Sequence, residues 1–260
     1  MCKLSELMSV LDKYAPLELS QLMISRGSYD NSGLLVKSSD KSDKVLFSLD
    51  LSIETVKNAT VLGCDTIVTH HPAIYTPIKK LDIDGETKAL TLAVQNKLNV
   101  VSMHLNLDVA SGGIDECLAK ALGAKDFKIL DELGDEQGYG REFICKKNID
   151  VFVDQIKSVF NTDKILVYGT GECNVVASFC GGGASHAVEA VLGLQTCADT
   201  IVTSDVAHHE IKEIVEKGIK LVVIPHYVAE DYGFKEYYLK VKQELNGLAE
   251  TCYFQDKRFV

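Results

Sequence analysis

The string Asp-Thr-Ile-Val-Thr occurs twice, at residues 65–69 and 199–203. A cysteine precedes each copy, Cys64 and Cys197, and a second β-rich run ending in histidine follows each. The first run is Val100-Val101-Ser102-Met103-His104 and the second is Val222-Val223-Ile224-Pro225-His226. An acid stands four residues past each histidine, Asp108 and Glu230. Self-similarity of this kind constrains the fold before any single residue does, because a duplicated unit has to bury its apolar face the same way twice. The flanking pattern is strand, helix, strand, helix, strand in both halves. In the first half it places strands over 45–51, 65–69 and 99–104, with helices over 53–62 and 86–96. In the second it places strands over 174–179, 199–203 and 220–225, with helices over 186–194 and 207–217. Short β-rich runs alternating with helices of about ten residues read as βαβ units with parallel sheets. The expected fold is α/β, with two similar lobes, roughly 1–124 and 125–260, of mixed, largely parallel sheets and a metal site between them. The segment 124–150 holds Gly134, Gly138 and Gly140 and reads as a boundary region with at least one strand, at 141–146.

Composition narrows the function. In 260 residues there are 27 basic and 37 acidic side chains, a net charge of −10, and three arginines, Arg26, Arg141 and Arg258. A net negative surface repels phosphate backbones, so nucleic-acid binding is not expected. No apolar run reaches the roughly 18 residues of a membrane helix. The N-terminal segment has an amphipathic pattern, not that of a secretory signal, and a cytoplasmic location is expected. The eight cysteines contain no C-x-x-C pair and read as reduced thiols in a reducing compartment rather than a disulfide framework or zinc ribbon.

In open α/β sheets, ligands bind outside the carboxyl ends of the strands, and here those ends carry His70, His71, His104 with Asp108, and His226 with Glu230. Imidazole and carboxylate form the ligand set of zinc, manganese, iron or nickel. Neighbouring strand side chains alternate, so His70 and His71 reach a common region only if the chain bends after residue 69. Pro72 favours that bend. Two metals about 3.5–4 Å apart under a bridging carboxylate are the usual dinuclear hydrolase arrangement, with Glu230 or Asp108 as the bridge. The bland reading is a set of satisfied polar strand ends. His208 and His209 read as exposed or capping residues at a helix start, and His186 as structural or substrate-facing. The loop Cys180-Gly181-Gly182-Gly183-Ala184-Ser185 reads either as an anion cradle at a helix N-terminus or as a tight turn with Ser185 as N-cap. Tyr29-Asp30-Asn31-Ser32-Gly33 reads as a loop.

Thr69-His70-His71-Pro72-Ala73-Ile74 resembles the S-H-H-P-L-I-F signature of the GTP cyclohydrolase I type 2 homologue family, also called the Nif-three-like dinuclear-metal proteins. Asp30-Asn31-Ser32-Gly33-Leu34-Leu35-Val36, His104-Leu105-Asn106-Leu107-Asp108, Ser204-Asp205-Val206-Ala207-His208-His209 and His226-Tyr227-Val228-Ala229-Glu230 resemble its other motifs in order. Ser204 and Pro225 stand where that family has glycine. The resemblance implies two divalent metals per chain. It makes His71 and Asp108 ligands of one, His70 and His226 ligands of the other, Glu230 the bridge, and His104 a histidine that lines the site without being a ligand, where it is expected to act as the catalytic group that moves protons. It also implies the family's short form, a toroidal homohexamer, and a nucleotide or other phosphorylated small molecule as substrate, opened hydrolytically with loss of formate. Gly138-Tyr139-Gly140-Arg141 partly matches a further motif in which Arg141 would contact an anion. The competing class is a non-enzymatic, metal-loaded scaffold or regulatory protein. A dinucleotide oxidoreductase is excluded by the missing glycine fingerprint.

Overall fold

The computed structural model describes residues 2–260. In chain order the first elements are α1 (Leu4–Tyr14), α2 (Leu17–Ser25), β1 (Gly33–Val36), β2 (Lys44–Ser48), α3 (Ile53–Leu62), β3 (Thr66–Thr69), α4 (Lys88–Gln95), β4 (Asn99–Ser102), α5 (Leu105–Val109) and α6 (Ile114–Ala121). There follow β5 (Lys128–Gly134), β6 (Gln137–Asn148), α7 (Ile149–Phe160), β7 (Leu166–Tyr168), β8 (Glu172–Ser178), α8 (Ala184–Leu192), β9 (Thr200–Thr203), α9 (His208–Glu216), β10 (Lys220–Val223), α10 (His226–Glu244) and β11 (Glu250–Tyr253). None of the helices is long and apolar enough to cross a membrane, among the described residues.

The chain divides into two compact units. One takes the chain up to Ala110 and again over Phe234–Arg258, and the other takes Ser111–Gly233 with Phe259–Val260. A single cut near residue 124 is a different partition from this one, because the C-terminal segment rejoins the first unit through β11.

The first unit holds a five-stranded mixed sheet in the order β1-β4-β3-β2-β11. β11, β2, β3 and β4 run parallel, and β1 pairs antiparallel with β4 at one edge. Local signals delimit its elements. Ser52 caps α3 by accepting the Thr55 N–H, and Gly63 ends that helix in the left-handed region at φ 70°, where a residue without a Cβ is unstrained. Leu4, Leu7 and Leu11 of α1 are buried on one helical stripe, the spacing of an amphipathic helix. Leu46, Val56, Ala59, Ile67, Ala93, Leu98 and Val100 form a common apolar cluster.

The second unit holds a six-stranded mixed sheet in the order β5-β6-β8-β9-β10-β7. β8, β9 and β10 run parallel, while β7, β6 and β5 add antiparallel pairings at the two sides. The boundary region around 124–150, expected to hold at least one strand, holds a β-hairpin of β5 and β6, and the strand expected over 141–146 lies within β6.

The repeat is real in three dimensions. In the first unit β2, β3 and β4 lie side by side and parallel, and in the second β8, β9 and β10 do the same. Thr66 stands opposite Asn99, and its counterpart Thr200 stands opposite Lys220. Met103 N–H donates to Thr69 O at 2.8 Å, and Ile224 N–H donates to Thr203 O at 2.9 Å. Met103 and Ile224 therefore correspond. One position on, His104 corresponds to Pro225, so His226 lies one residue beyond its expected place. The sequence-based equivalence of the two histidine–acid pairs is corrected by this offset of one.

Core burial in the repeated strands sets the scale of a test. Ile67 is fully buried, whereas Val61 of α3 is 86% exposed. Ile67→Ala should lower the free energy of unfolding by about 2–5 kcal/mol, and Val61→Ala should change it by less than about 0.5 kcal/mol. Urea unfolding followed by circular dichroism checks this. Equal midpoints for the two variants would show that β3 is not at the centre of its sheet.

Candidate metal centre

The bend expected after residue 69 is present and has an identifiable cause. His70 N–H and His71 N–H both donate to Leu49 O, at 3.1 and 3.0 Å. Thr69 Oγ1 donates to His71 O at 2.8 Å, and Ser102 Oγ also reaches that carbonyl, at 3.3 Å. The chain leaves the ladder at once, and the two imidazoles, which would alternate on a strand, have ring centroids 4.9 Å apart. The His104 ring is 5.2 Å from that of His70 and 5.9 Å from that of His71.

Each ring is fixed through Nδ1. His70 is fully buried, and its Nδ1 lies 2.7 Å from Met103 O. A carbonyl only accepts, so Nδ1 carries the hydrogen and Nε2 the lone pair. That Nε2 lies 3.5 Å from Asp108 Oδ1. Two ligands about 2.0–2.1 Å from one tetrahedral zinc stand roughly 3.3 Å apart, so the spacing suits a shared cation. His71 Nδ1 lies 2.7 Å from Asp50 Oδ1. His104 Nδ1 lies 2.7 Å from Asp30 Oδ1, and its backbone N–H donates to Ser32 Oγ at 3.1 Å. Burial tends to raise the Asp30 pKa, but hydrogen bonds from His104, Ser20 and Ser32 outweigh it and hold the carboxyl at about 2. Asp30 is thus an anion at neutral pH and the acceptor for His104. Within this unit, coordinating atoms of His70, His104 and Asp108 lie within 4.8 Å of one another. The histidine next to Asp108 in this group is His70, while His71 leans on Asp50.

In the second unit His226 is the first residue of α10 and Glu230 stands one turn on. His226 Nε2 lies 2.8 Å from Glu230 Oε2. His226 Nδ1 lies 2.5 Å from Asp205 Oδ2. Asp205 adopts a left-handed backbone, φ 49°, directly after Ser204 at the end of β9, where short polar residues are the best tolerated non-glycines.

The glycine loop has a different role from the anion cradle considered above. Gly181, at φ 57°, leaves no room for a Cβ, which would collide with Glu230 Oε1. A Cβ on Gly183 would collide with the Tyr139 hydroxyl, which donates to Cys180 O. Cys180 N–H is taken by Asp115 Oδ1 at 3.0 Å. Gly183 occupies the N-cap position and Ser185 lies inside α8, exposed, so Ser185 is not the N-cap. Arg141 is fully buried and pairs with Asp115 Oδ2 at 2.9 Å. Its Nη1 also donates to Gly138 O at 2.8 Å. Burial pushes the Asp115 carboxyl up to about 6, against the pull of Arg141. The Arg141 charge is thus matched internally. His208 and His209 are exposed at the start of α9, where Glu210 accepts the Ala207 N–H at 2.8 Å. His186 is exposed beside the Tyr139 ring, 5.1 Å between centroids.

Sequence reasoning singled out the imidazoles but not the carboxylates Asp30, Asp50 and Asp205 that orient three of them. The available signal was position, since Asp50 and Asp205 follow the ends of β2 and β9.

Comparison with known proteins accords with this architecture. A protein from Clostridium perfringens named GTP cyclohydrolase 1 type 2 homolog is 30% identical, with 95% of this chain and 94% of that protein covered. Proteins of the same name from Staphylococcus aureus are 33% identical over 155 residues, and this match spans only 41% of their length. The crystal structure of a Bacillus cereus protein related to NIF3 superposes with a TM-score of 0.84 at 18% identity, covering 98% of this chain and 96% of that one. The model of the Duf34/NIF3 (NGG1p interacting factor 3) family matches residues 2–257, and the chain belongs to that family.

Proposed function

We propose that this protein binds two divalent metal ions through His70, His71 and Asp108 of its first unit and His226 and Glu230 of its second, and that it is a metal-dependent hydrolase. One observation carries the reading. All four histidines, His70, His71, His104 and His226, have Nδ1 engaged by a carbonyl or carboxylate, which leaves every Nε2 with its lone pair. Ligating histidines are held in this way, by a hydrogen bond from the other ring nitrogen that fixes tautomer and orientation. The nitrogen and oxygen donors suit zinc, manganese, iron or nickel. When bound, such a metal supplies a Lewis acid and lowers the pKa of water.

The protein's own part in the reaction falls to His104. Ionised Asp30 keeps the His104 proton on Nδ1, so Nε2 is the atom that accepts a proton and returns it to a leaving group. Asp30 orients and does not itself exchange protons. The relatives' name makes GTP the first substrate to try, with hydrolytic opening of the guanine imidazole ring and release of formate.

Elemental analysis of gently purified protein should find close to two divalent ions per chain. Glu230→Gln and His70→Ala should each reduce that content, and His208→Ala should leave it unchanged. A protein that stays metal-free in micromolar zinc and manganese overturns the proposal.

His104→Ala should keep its metal and lower GTP turnover by about 10²–10⁴-fold, and Asp30→Asn should lower it through the misplaced tautomer. Loss of metal from His104→Ala would make this residue a ligand. Full metal content without turnover of any nucleotide would favour the scaffold reading.

The family resemblance carries one further expectation. Light scattering at micromolar concentration should give a mass near that of six chains, and a clean monomer would count against a ring assembly.

A further inference from the structure

We infer that Cys64 and Cys252 are an oxidisable dithiol, at which a peroxide closes a disulfide that fastens β11 to the turn between α3 and β3. The two sulfurs lie 3.8 Å apart although the residues are 188 positions apart in sequence. Cys64 is buried at that turn, its N–H donated to Ala59 O at 2.8 Å. Cys252 is half-buried on β11 opposite Leu46. β11 is an edge strand, paired in the sheet with β2 among the described residues. Among the eight cysteines this pair combines sulfur contact with an accessible member, since Cys252 is exposed enough to meet a small oxidant.

The chemistry balances with peroxide as oxidant. The Cys252 thiolate attacks a peroxide oxygen, the O–O bond breaks, and a sulfenic acid forms with release of hydroxide. The Cys64 sulfur then attacks the Cys252 sulfur, the S–O bond breaks, and water leaves. Two thiols lose two electrons and hydrogen peroxide becomes two waters. Closing the contact to a bond of about 2.05 Å requires the two sulfurs to approach from 3.8 Å. The hydrogen bond from Cys64 holds the Cys252 thiol below the usual range, and Lys44 adds to this, whereas Cys64 is raised. Cys252 is half-buried and Cys64 buried, so Cys252 is the thiol that meets the peroxide and Cys64 the resolving thiol.

The test uses the full-length protein treated with hydrogen peroxide, alkylated, and mapped as peptides without reduction. A peptide joining Cys64 to Cys252 should appear, the chain should lose two hydrogens, and dithiothreitol should reverse both changes. Amide exchange over Glu250–Tyr253 should slow by at least about tenfold in the oxidised form, because local opening of an edge strand is then opposed by a covalent tie. In Cys64→Ser, Cys252 should instead stop at the sulfenic acid and be labelled by dimedone. Complete alkylation of Cys64 and Cys252 after peroxide, with the exposed Cys197 oxidised in their place, overturns the proposal. Unchanged exchange at β11 in a protein that does carry the bond overturns its fastening role.

Discussion

The carbonyl of Leu49 accepts two consecutive backbone N–H groups, those of His70 and His71, and the first unit's site depends on that arrangement. A continuing strand would send the two imidazoles to opposite faces of the sheet. A single acceptor shared by both amides folds the chain over the end of β2 and brings the rings together. Thr69 and Ser102, opposite each other in the ladder of β3 and β4, then bind the His71 carbonyl from beneath. Each neutral hydrogen bond contributes only about 0.5–1.5 kcal/mol. The bend is secured because several of them converge on two carbonyls, those of Leu49 and His71.

The duplicated framework shows how one architecture yields two different half-sites. After β3 the first unit has His70 and His71, and after β9 the second has Ser204 and Asp205. Both units nonetheless set an imidazole Nδ1 against an aspartate, His71 on Asp50 and His226 on Asp205. The pair follows β2 and β3 in the first unit and β9 and β10 in the second, so it has shifted by one strand of the repeat. The one-residue offset between His104 and His226 has the same meaning. His104 precedes a five-residue helix, whereas His226 begins one of 19 residues, so the donors leave the sheet by different paths.

Hydrophobic periodicity made the repeat, the parallel strands and the strand-end histidines legible, because these are local patterns with fixed spacing. It placed the ends of several strands too late. Expected strands over 45–51, 99–104 and 220–225 stop at Ser48, Ser102 and Val223. The excess residues include Leu49, Met103 and Ile224, all buried. Their side chains lie under the sheet end, so they look like strand in composition while their backbones have already turned. The carboxylates were illegible for another reason. Asp30 meets His104 across 74 positions, and Asp50 meets His71 across 21, pairings that obey no short period. The parallel partnership of β11 with β2 is longer still and was not read at all.

The glycine loop and Arg141 illustrate how burial decides between two readings of one motif. An anion-binding arginine has to present its guanidinium to solvent or to a cavity, and Arg141 has no exposed surface. Removing one partner of a buried ion pair costs about 3–5 kcal/mol, several times the worth of an ordinary hydrogen bond. Arg141 and Asp115 are therefore the stiff part of this region. The second oxygen of Asp115 holds the Cys180 N–H, which fixes the strand exit immediately before Gly181. Gly181 in turn lies so close to Glu230 that a Cβ there would displace the carboxylate, and its positive φ strains any side chain. The contacts thus run from a buried charge pair, through one amide and one glycine, to the Glu230 carboxylate. A motif that reads as a phosphate loop in sequence packs here against the Glu230 carboxylate.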